Sequence, residues 1–295
     1  MGEGIITKAL SGYYYVQDGA RLVTCRARGR LRLDKSSPLV GDRVSYEPTP
    51  EGGGYVLKIL PRRNWFVRPA VANIDVMVIV AAAVNPVSEP FLLDRMTSLA
   101  EKHDCEVLIC LNKADMDRGD ALCAIYEKAG FPVIRTSAVT GEGVAELTAA
   151  LAGKTAAFSG NSGVGKSSLL NAMQPELQLL TGEVSQKLGR GRHTTRHVQL
   201  FPLPNGGFLA DTPGFGSFDV EQMESVRKDD LQYCFREFAP YIGRCRFNDC
   251  THRREPDCAV LEALQNGEIG GSRHDSYVRL YEQAAKLKDW ELKTQ

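Results

Sequence analysis

Residues 154–167 read KTAAFSGNSGVGKS, a short apolar strand running straight into a glycine-rich turn, and the apolar helical stretch SSLLNAM occupies residues 167–173. The turn holds Gly160, Asn161, Ser162, Gly163, Val164, Gly165, Lys166 and Ser167, a complete GxxxxGKS in the strand–turn–helix setting that the pattern requires. Glycines let the backbone wrap so that successive amides and the start of the helix, with Ser168 in its first turn, face an anion. Lys166 brings a point charge to the β and γ phosphates of a bound nucleotide, and the Ser167 hydroxyl suits Mg²⁺.

Outward from this turn, apolar runs at Ile74–Ala83, Glu106–Leu111 and Pro132–Thr136 alternate with helical patterns near Phe91–His103, Ala121–Ala129 and Val144–Ala152. That alternation predicts a mainly parallel sheet covered by helices on both faces. Asn112, Lys113, Ala114 and Asp115 follow the second run, and Thr136, Ser137 and Ala138 follow the third. In an NKxD motif the Asp carboxylate accepts from the ring N–H and the exocyclic amine of guanine, a pair that adenine does not offer. Asp211, Thr212, Pro213 and Gly214 follow the apolar run GGFLA, which puts Asp211 at a strand end for Mg²⁺ and the Gly214 amide toward the terminal phosphate. Each short motif alone reads as a turn, a helix cap or a strand exit; their partnership with the phosphate loop gives them meaning.

The order is unusual. Most small GTPases carry the phosphate loop first and the base-reading motifs last, whereas here NKAD and TSA precede the loop and DTPG closes the segment. The pattern is a circular permutation, which a compact domain tolerates because its termini tend to lie close together. Between the phosphate loop and DTPG lies GRGRHTTRH at residues 189–197, expected to be a loop whose threonine hydroxyl completes Mg²⁺ coordination. Thr195 is the favoured ligand, with Thr194 as the alternative. Phe215 occupies the place where many GTPases carry a water-orienting Gln, so another group must orient water. His193 is the candidate in reach, set against the simpler reading of a solvated loop histidine.

A chain of 295 residues with 43% hydrophobic and 24% charged residues is an ordinary folded protein of two or three modules, not a fibrous or disordered one. No membrane span or leader is evident, so a soluble, cytoplasmic, monomeric protein is expected. The zero net charge hides an uneven distribution: residues 1–67 carry 11 basic and 6 acidic side chains, a net +5. β-rich runs at Gly12–Val16, Arg21–Arg26 and Gly54–Leu60, separated by turns, predict a small antiparallel barrel there. Arg26, Arg28, Arg30 and Arg32 alternate, so one strand face would present them to a polyanion, or else they form a charged edge that deters aggregation.

Four cysteines stand singly at positions 25, 105, 110 and 123, while four fall between positions 234 and 258. Cys245, Cys250, His252 and Cys258 offer three thiolates and an imidazole, a plausible tetrahedral Zn²⁺ set, and Cys234 is left for the core. Tyr277, Leu280, Tyr281, Ala284, Leu287 and Trp290 form an apolar helical stripe, expected to pack on its own domain.

These residues resemble the RsgA (YjeQ/YloQ) family, the circularly permuted GTPases that depend on the small ribosomal subunit. The likeness runs along the chain: VGDRV, RPAVANID, NKAD, GNSGVGKSSLLN, GRGRHTTR, DTPGF and CRFNDCTHRREPDC. It implies an N-terminal OB-fold (residues 1–67), a circularly permuted P-loop GTPase domain (68–218) and a mainly helical zinc-binding domain (219–295). By position it assigns nucleotide to Asn112–Asp115 and Gly160–Ser167, and one zinc to Cys245, Cys250, His252 and Cys258. The implied activity is hydrolysis of GTP with Mg²⁺, in late maturation of the small subunit. Arg28, Arg30 and Arg32 are the expected ribosomal RNA contacts; His193, Lys166 and Thr195 are the expected catalytic groups.

Overall fold

Alternation of inward and outward side chains, interrupted by register shifts in β1 and β4, shapes the first module. Strands β1 (Gly2–Leu10), β2 (Tyr13–Asp18), β3 (Arg21–Ala27), β4 (Arg43–Pro48) and β5 (Gly54–Ile59) point Ile6, Val16, Val23, Cys25, Val44, Tyr46 and Val56 inward, each at most 2% exposed. Pairing runs β1–β2–β3–β5–β4 and returns from β4 to β1, with β3 and β5 parallel, so the sheet closes into a five-stranded barrel. The computed structural model describes residues 1–29, 37–50, 52–67, 69–179, 198–211 and 224–287, with Asp211 by its backbone alone. Sequence patterning located β2, β3 and β5 to within two residues but not β1 or β4 as strands. Strand β3 ends at Ala27, so Arg28 follows the strand instead of extending an alternating arginine face. Its guanidinium stands 3.8 Å from Glu47 in an exposed pair. Arg30, Arg32 and Arg68 lie outside the described residues.

A short hairpin of β6 (Trp65–Phe66) and β7 (Val71–Ala72) leads into the second module. Its elements follow as β8 (Val76–Ala82), α1 (Pro90–Lys102), β9 (Glu106–Asn112), α2 (Asp120–Lys128), β10 (Val133–Arg135), α3 (Val144–Ala150), β11 (Thr155–Ser159), α4 (Lys166–Met173), β12 (Gln199–Pro202) and β13 (Phe208–Asp211). Strand order is β10-β9-β8-β11-β13-β12, parallel except for β12. Every residue of β8 is buried, as a central strand with two covered faces demands. Lys8 of β1 pairs with Gln199 of β12, so the barrel continues the sheet at its edge. Among the described residues no helix is long and apolar enough to cross a membrane.

The third module has little regular structure: two single 3₁₀ turns at Leu231–Cys234 and Arg236–Phe238, then α5 (Ala259–Gln265) and α6 (Gly271–Lys286). Leu231, Cys234, Phe235, Phe238, Val260 and Tyr277 form its core. Tyr277 and Leu280 of the apolar stripe pack there as expected, but the stripe also serves the interface with α1. Phe91 of α1 joins the same cluster, with the Arg279 guanidinium 3.6 Å from its ring centroid. Trp290 lies outside the described residues.

One buried ion cluster joins the two modules. Arg273 of α6 is wholly buried; it donates to Asp94 Oδ1 at 2.7 Å, to Thr97 Oγ1 at 3.0 Å and to Glu237 Oε1 at 2.7 Å. Tyr126 of α2 donates to the same Asp94 oxygen at 3.0 Å. Burial alone would lower the pKa of Arg273, but the charges of Asp94 and Glu237 raise it above its ordinary value. Removing one partner of such a cluster strands the others without water. Arg273→Met should therefore cost about 3–5 kcal/mol of stability in urea unfolding. Arg246→Met, which breaks an exposed pair with Asp257, should leave the midpoint unchanged within error. Equal effects from the two changes would show that the buried cluster contributes nothing special.

Candidate nucleotide site and metal centre

The carboxyl ends of β9, β10 and β11 deliver NKAD, TSA and the phosphate loop to one edge of the sheet, where the backbone of β13 also ends at Asp211. From β11 the chain enters the turn at Gly160, where a Cβ would sit 2.2 Å from the Val80 carbonyl oxygen of β8; only glycine fits this crossing. The turn ends at Gly165, whose φ of 93° starts α4, and a Cβ there would strike Asn112 Nδ2 at 2.4 Å. Ser162 and Gly163 are exposed at the mouth, Val164 is buried beneath, and Ser167 and Ser168 lie in the first turn of α4.

Asn112 binds these pieces together. It is 2% exposed; its Nδ2 donates to the Val164 carbonyl at 2.9 Å, and its Oδ1 accepts from Thr136 Oγ1 at 3.2 Å and from the Ala138 amide at 3.3 Å. NKAD, TSA and the phosphate loop are thus fastened by one carboxamide. Lys113, at a φ of 64°, donates from Nζ to the Gly163 carbonyl at 2.8 Å and to the Asn85 carbonyl. The Ala114 amide donates to Thr136 O at 3.0 Å, and the following turn leaves Asp115 exposed beside the mouth of the site. Ser137 Oγ accepts from the Thr140 amide at 3.1 Å, shaping the loop after β10.

Lys166 folds back on its own loop, donating from Nζ to the carbonyls of Gly160 and of Asn161, the latter at 2.8 Å. Burial pulls its pKa down from the ordinary lysine value to about 8. The loop carbonyls of Gly160 and Asn161 are therefore the ammonium's partners in this structure. The backbone of Asp211 ends β13, the parallel neighbour of β11, at the same sheet edge. Gly214, Phe215, His193, Thr194 and Thr195 lie outside the described residues, as does the Asp211 side chain.

The second cluster stands in the third module. The ligand atoms of Cys245, Cys250, His252 and Cys258 all lie within 4.8 Å of one another. His252 Nδ1 is 3.5 Å from the sulfurs of Cys245 and Cys258, which are themselves 3.7 Å apart. Four donors each about 2.0–2.3 Å from one small cation would stand roughly 3.3–3.8 Å apart, so the group fits a tetrahedral metal ion. Burial pushes the Cys250 thiol up to about 12 and raises Cys258 too, so a cation is what would keep these sulfurs ionised. Glu255 shapes the loop: burial would raise its pKa, but donors from Thr251 and the amides of Arg254 and Arg253 bring it down to about 2. Cys234, by contrast, is a buried core thiol, pushed up to about 12 by burial.

Two contributors escaped the sequence reading. Asn85 and Pro86 follow β8: the Pro86 ring lies against Gly163 and the Asn85 carbonyl accepts from Lys113 Nζ; the Asn-Pro pair is a turn signal in the sequence but does not mark a partner of the phosphate loop. Gln232 Oε1 lies 2.8 Å from His252 Nε2, while its Nε2 donates to Asp229 O at 3.5 Å. That arrangement makes His252 Nε2 a donor and leaves Nδ1 bare for a metal. Nothing in the sequence spacing marks Gln232, which comes from a separate 3₁₀ turn.

Comparison with known proteins agrees with this geometry. Residues 59–221 match the family model described as RsgA GTPase, and residues 3–56 match that of the RsgA N-terminal domain. The small ribosomal subunit biogenesis GTPase RsgA of Caldanaerobacter subterraneus subsp. tengcongensis is 46% identical over 281 residues, covering 94% of each chain. Its counterpart in Geobacillus kaustophilus is 46% identical over 284 residues, covering 94% of this chain and 96% of its own. Crystal structures of YjeQ from Thermotoga maritima and of YloQ, a circularly permuted GTPase, superpose with TM-scores of 0.83 and 0.80. They are 35% and 36% identical, and cover 97% and 98% of this chain and 99% and 96% of their own.

Because the free Lys166 ammonium titrates near 8 and a bound phosphate would hold its proton, nucleotide binding must take up that proton at higher pH. GDP affinity measured by calorimetry should fall as pH rises from 7 to 9, approaching tenfold per pH unit above the Lys166 pKa. A flat profile would mean that the loop carbonyls keep Lys166 charged throughout.

Proposed function

The chain belongs to the RsgA family of circularly permuted GTPases, and from that membership we propose that it hydrolyses GTP to GDP and phosphate in the cytoplasm, docked on the small ribosomal subunit late in its maturation. The observation that carries this reading is the Asn112 carboxamide, which ties the base-reading NKAD and TSA segments to the phosphate loop. Within that frame Asp115 reads the guanine edge, and the amides of Gly160–Ser168 with Gly214 cradle the phosphates. A Mg²⁺ ion held by Ser167, Thr195 and Asp211 would neutralise charge developing on the phosphate oxygens. Lys166 leaves its own carbonyls for the β and γ phosphates when nucleotide enters. The net +5 module of residues 1–67 supports ribosomal RNA contact, with Arg28, Arg30 and Arg32 as phosphate partners. The division into residues 1–67, 68–218 and 219–295 assigns RNA contact, turnover and anchoring to separate modules of a monomer.

Phe215 offers no polar group to orient water, so turnover should be slow until the subunit brings His193 to the attacking water. Neutral imidazole there orients the water or accepts its proton, an effect of order 10²-fold. GTP turnover is measured with and without purified small subunits, for wild type and His193→Ala. The wild type should be strongly stimulated, while the variant keeps its nucleotide affinity, its subunit binding and its unstimulated rate but loses the stimulation. No stimulation of the wild type would overturn the ribosomal reading; full stimulation of the variant would remove His193 alone.

The metal held by the Cys245, Cys250, His252 and Cys258 set is proposed to be one structural zinc, since three soft sulfurs with one imidazole select it over the hard cations. Metal analysis should give one zinc per chain. In competition with a chromophoric chelator, Gln232→Ala should weaken zinc binding about 10–100-fold. Gln232→Glu keeps an acceptor for His252 and should restore it. Equal affinities in all three proteins would reduce Gln232 to a packing residue.

A further inference from the structure

On the outside of the barrel a row of residues runs straight across the strands. Leu10 of β1 pairs with Tyr13 of β2, Tyr13 with Arg26 of β3, and Arg26 with Tyr55 of β5. Tyr13 is 37% and Tyr55 46% exposed, and the alternate positions Val16, Cys25 and Val56 fill the barrel core without them. The Arg26 guanidinium lies 4.6 Å from the Tyr13 ring centroid and also donates to Tyr13 Oη. In the next row Lys8 pairs with Tyr15, its ammonium 5.8 Å from that ring centroid. Beyond it Leu22, paired with Gln17, is 56% exposed. Glu47 ends the first row beside Tyr55, but it faces Arg28 at 3.8 Å.

A lone exposed tyrosine needs no explanation, and cross-strand aromatic pairs help to hold strands together. Here the outward face instead carries ring, cation and ring in register, on the module with the chain's excess positive charge. Acidic peptides would use the cations and leave the rings idle. Unpaired nucleotides use them all: bases stack on the phenol rings or the guanidinium plane, and phosphates meet the cations. Tyr13 and Tyr55 stand two strand spacings apart, about 10 Å, which an unstacked single strand can bridge and a rigid duplex cannot follow base by base. We infer that the row Tyr13–Arg26–Tyr55, flanked by Lys8 and Tyr15, is a stacking platform for single-stranded RNA. This rests on the reading of the barrel as an RNA-contacting module, and adds that the contact is to unpaired bases.

The test uses the full-length protein with fluorescent oligouridylate and oligoadenylate, a duplex RNA of equal length, and polyglutamate as competitor. The wild type should bind the single strands more tightly than the duplex. Tyr13→Ala and Tyr55→Ala should each weaken single-strand binding roughly tenfold or more, while leaving duplex binding unchanged. Tyr13→Phe and Tyr55→Phe keep the rings and should bind within about threefold of wild type, which separates stacking from misfolding. Single-strand binding that is untouched by the alanine changes would overturn the platform and leave the RNA reading standing. A wild type that binds none of the RNAs would overturn that reading and the platform with it. Displacement of the RNA by polyglutamate at equal charge would assign the face to an acidic protein.

Discussion

The nucleotide site depends on a single buried carboxamide. Asn112 has one amide nitrogen and one oxygen to spend, and the nitrogen goes to the phosphate loop while the oxygen takes the Thr136 hydroxyl and the Ala138 amide. A carboxamide offers a donor and an acceptor in one rigid plane without a change of protonation state. Its position in turn dictates Gly165, where any Cβ would meet it. NKAD, TSA and the phosphate loop, from distant parts of the chain, therefore share one geometry, and a shift of any one is felt by the others.

That constraint explains why permutation is tolerated. Nothing in the site requires the phosphate loop to come first; it requires parallel neighbours in the order β10-β9-β8-β11-β13 with their carboxyl ends together. Strand pairing is set by which apolar faces are covered, and β8 and β9 are buried on both. Connection order can change as long as the breaks fall outside those strands. Here the opened end is taken up by the barrel, whose Lys8 pairs with Gln199 of the edge strand.

The phosphate loop, NKAD, TSA and the Cys3His set were legible because each uses fixed residue types at fixed short spacing. Barrel strands β1 and β4 were less so: Gly2–Leu10 mixes glycine with apolar residues and carries a register shift between Ile6 and Lys8, which blurs a period of two. The arginine alternation misled in the opposite way, since the period continues past Ala27 but the strand does not. Gln232 and the Arg273 cluster were invisible because their partners lie far off in sequence. Glu237 and Asp94 meet Arg273 from separate elements, and no local pattern marks a polar residue whose partners are supplied by folding.

A second junction shows what the permuted order does mechanically. The chain leaves the phosphate edge at Asp211 and is next described at Glu224, whose carboxylate takes Lys102 Nζ on one oxygen and His103 Nε2, at 2.9 Å, on the other. Burial would raise the pKa of Glu224, but these two donors hold it below the usual carboxylate range. The His103 ring lies tilted at 48° to that of Phe66, in the hairpin that follows the barrel, with centroids 4.7 Å apart. Glu224 thus stands where all three modules meet, at the end of the same helix α1 that carries Asp94. In an unpermuted order the chain after the aspartate would return to the next strand of the same sheet; here the next described elements belong to the third module. The rearrangement leaves the site intact and changes only what the site is connected to.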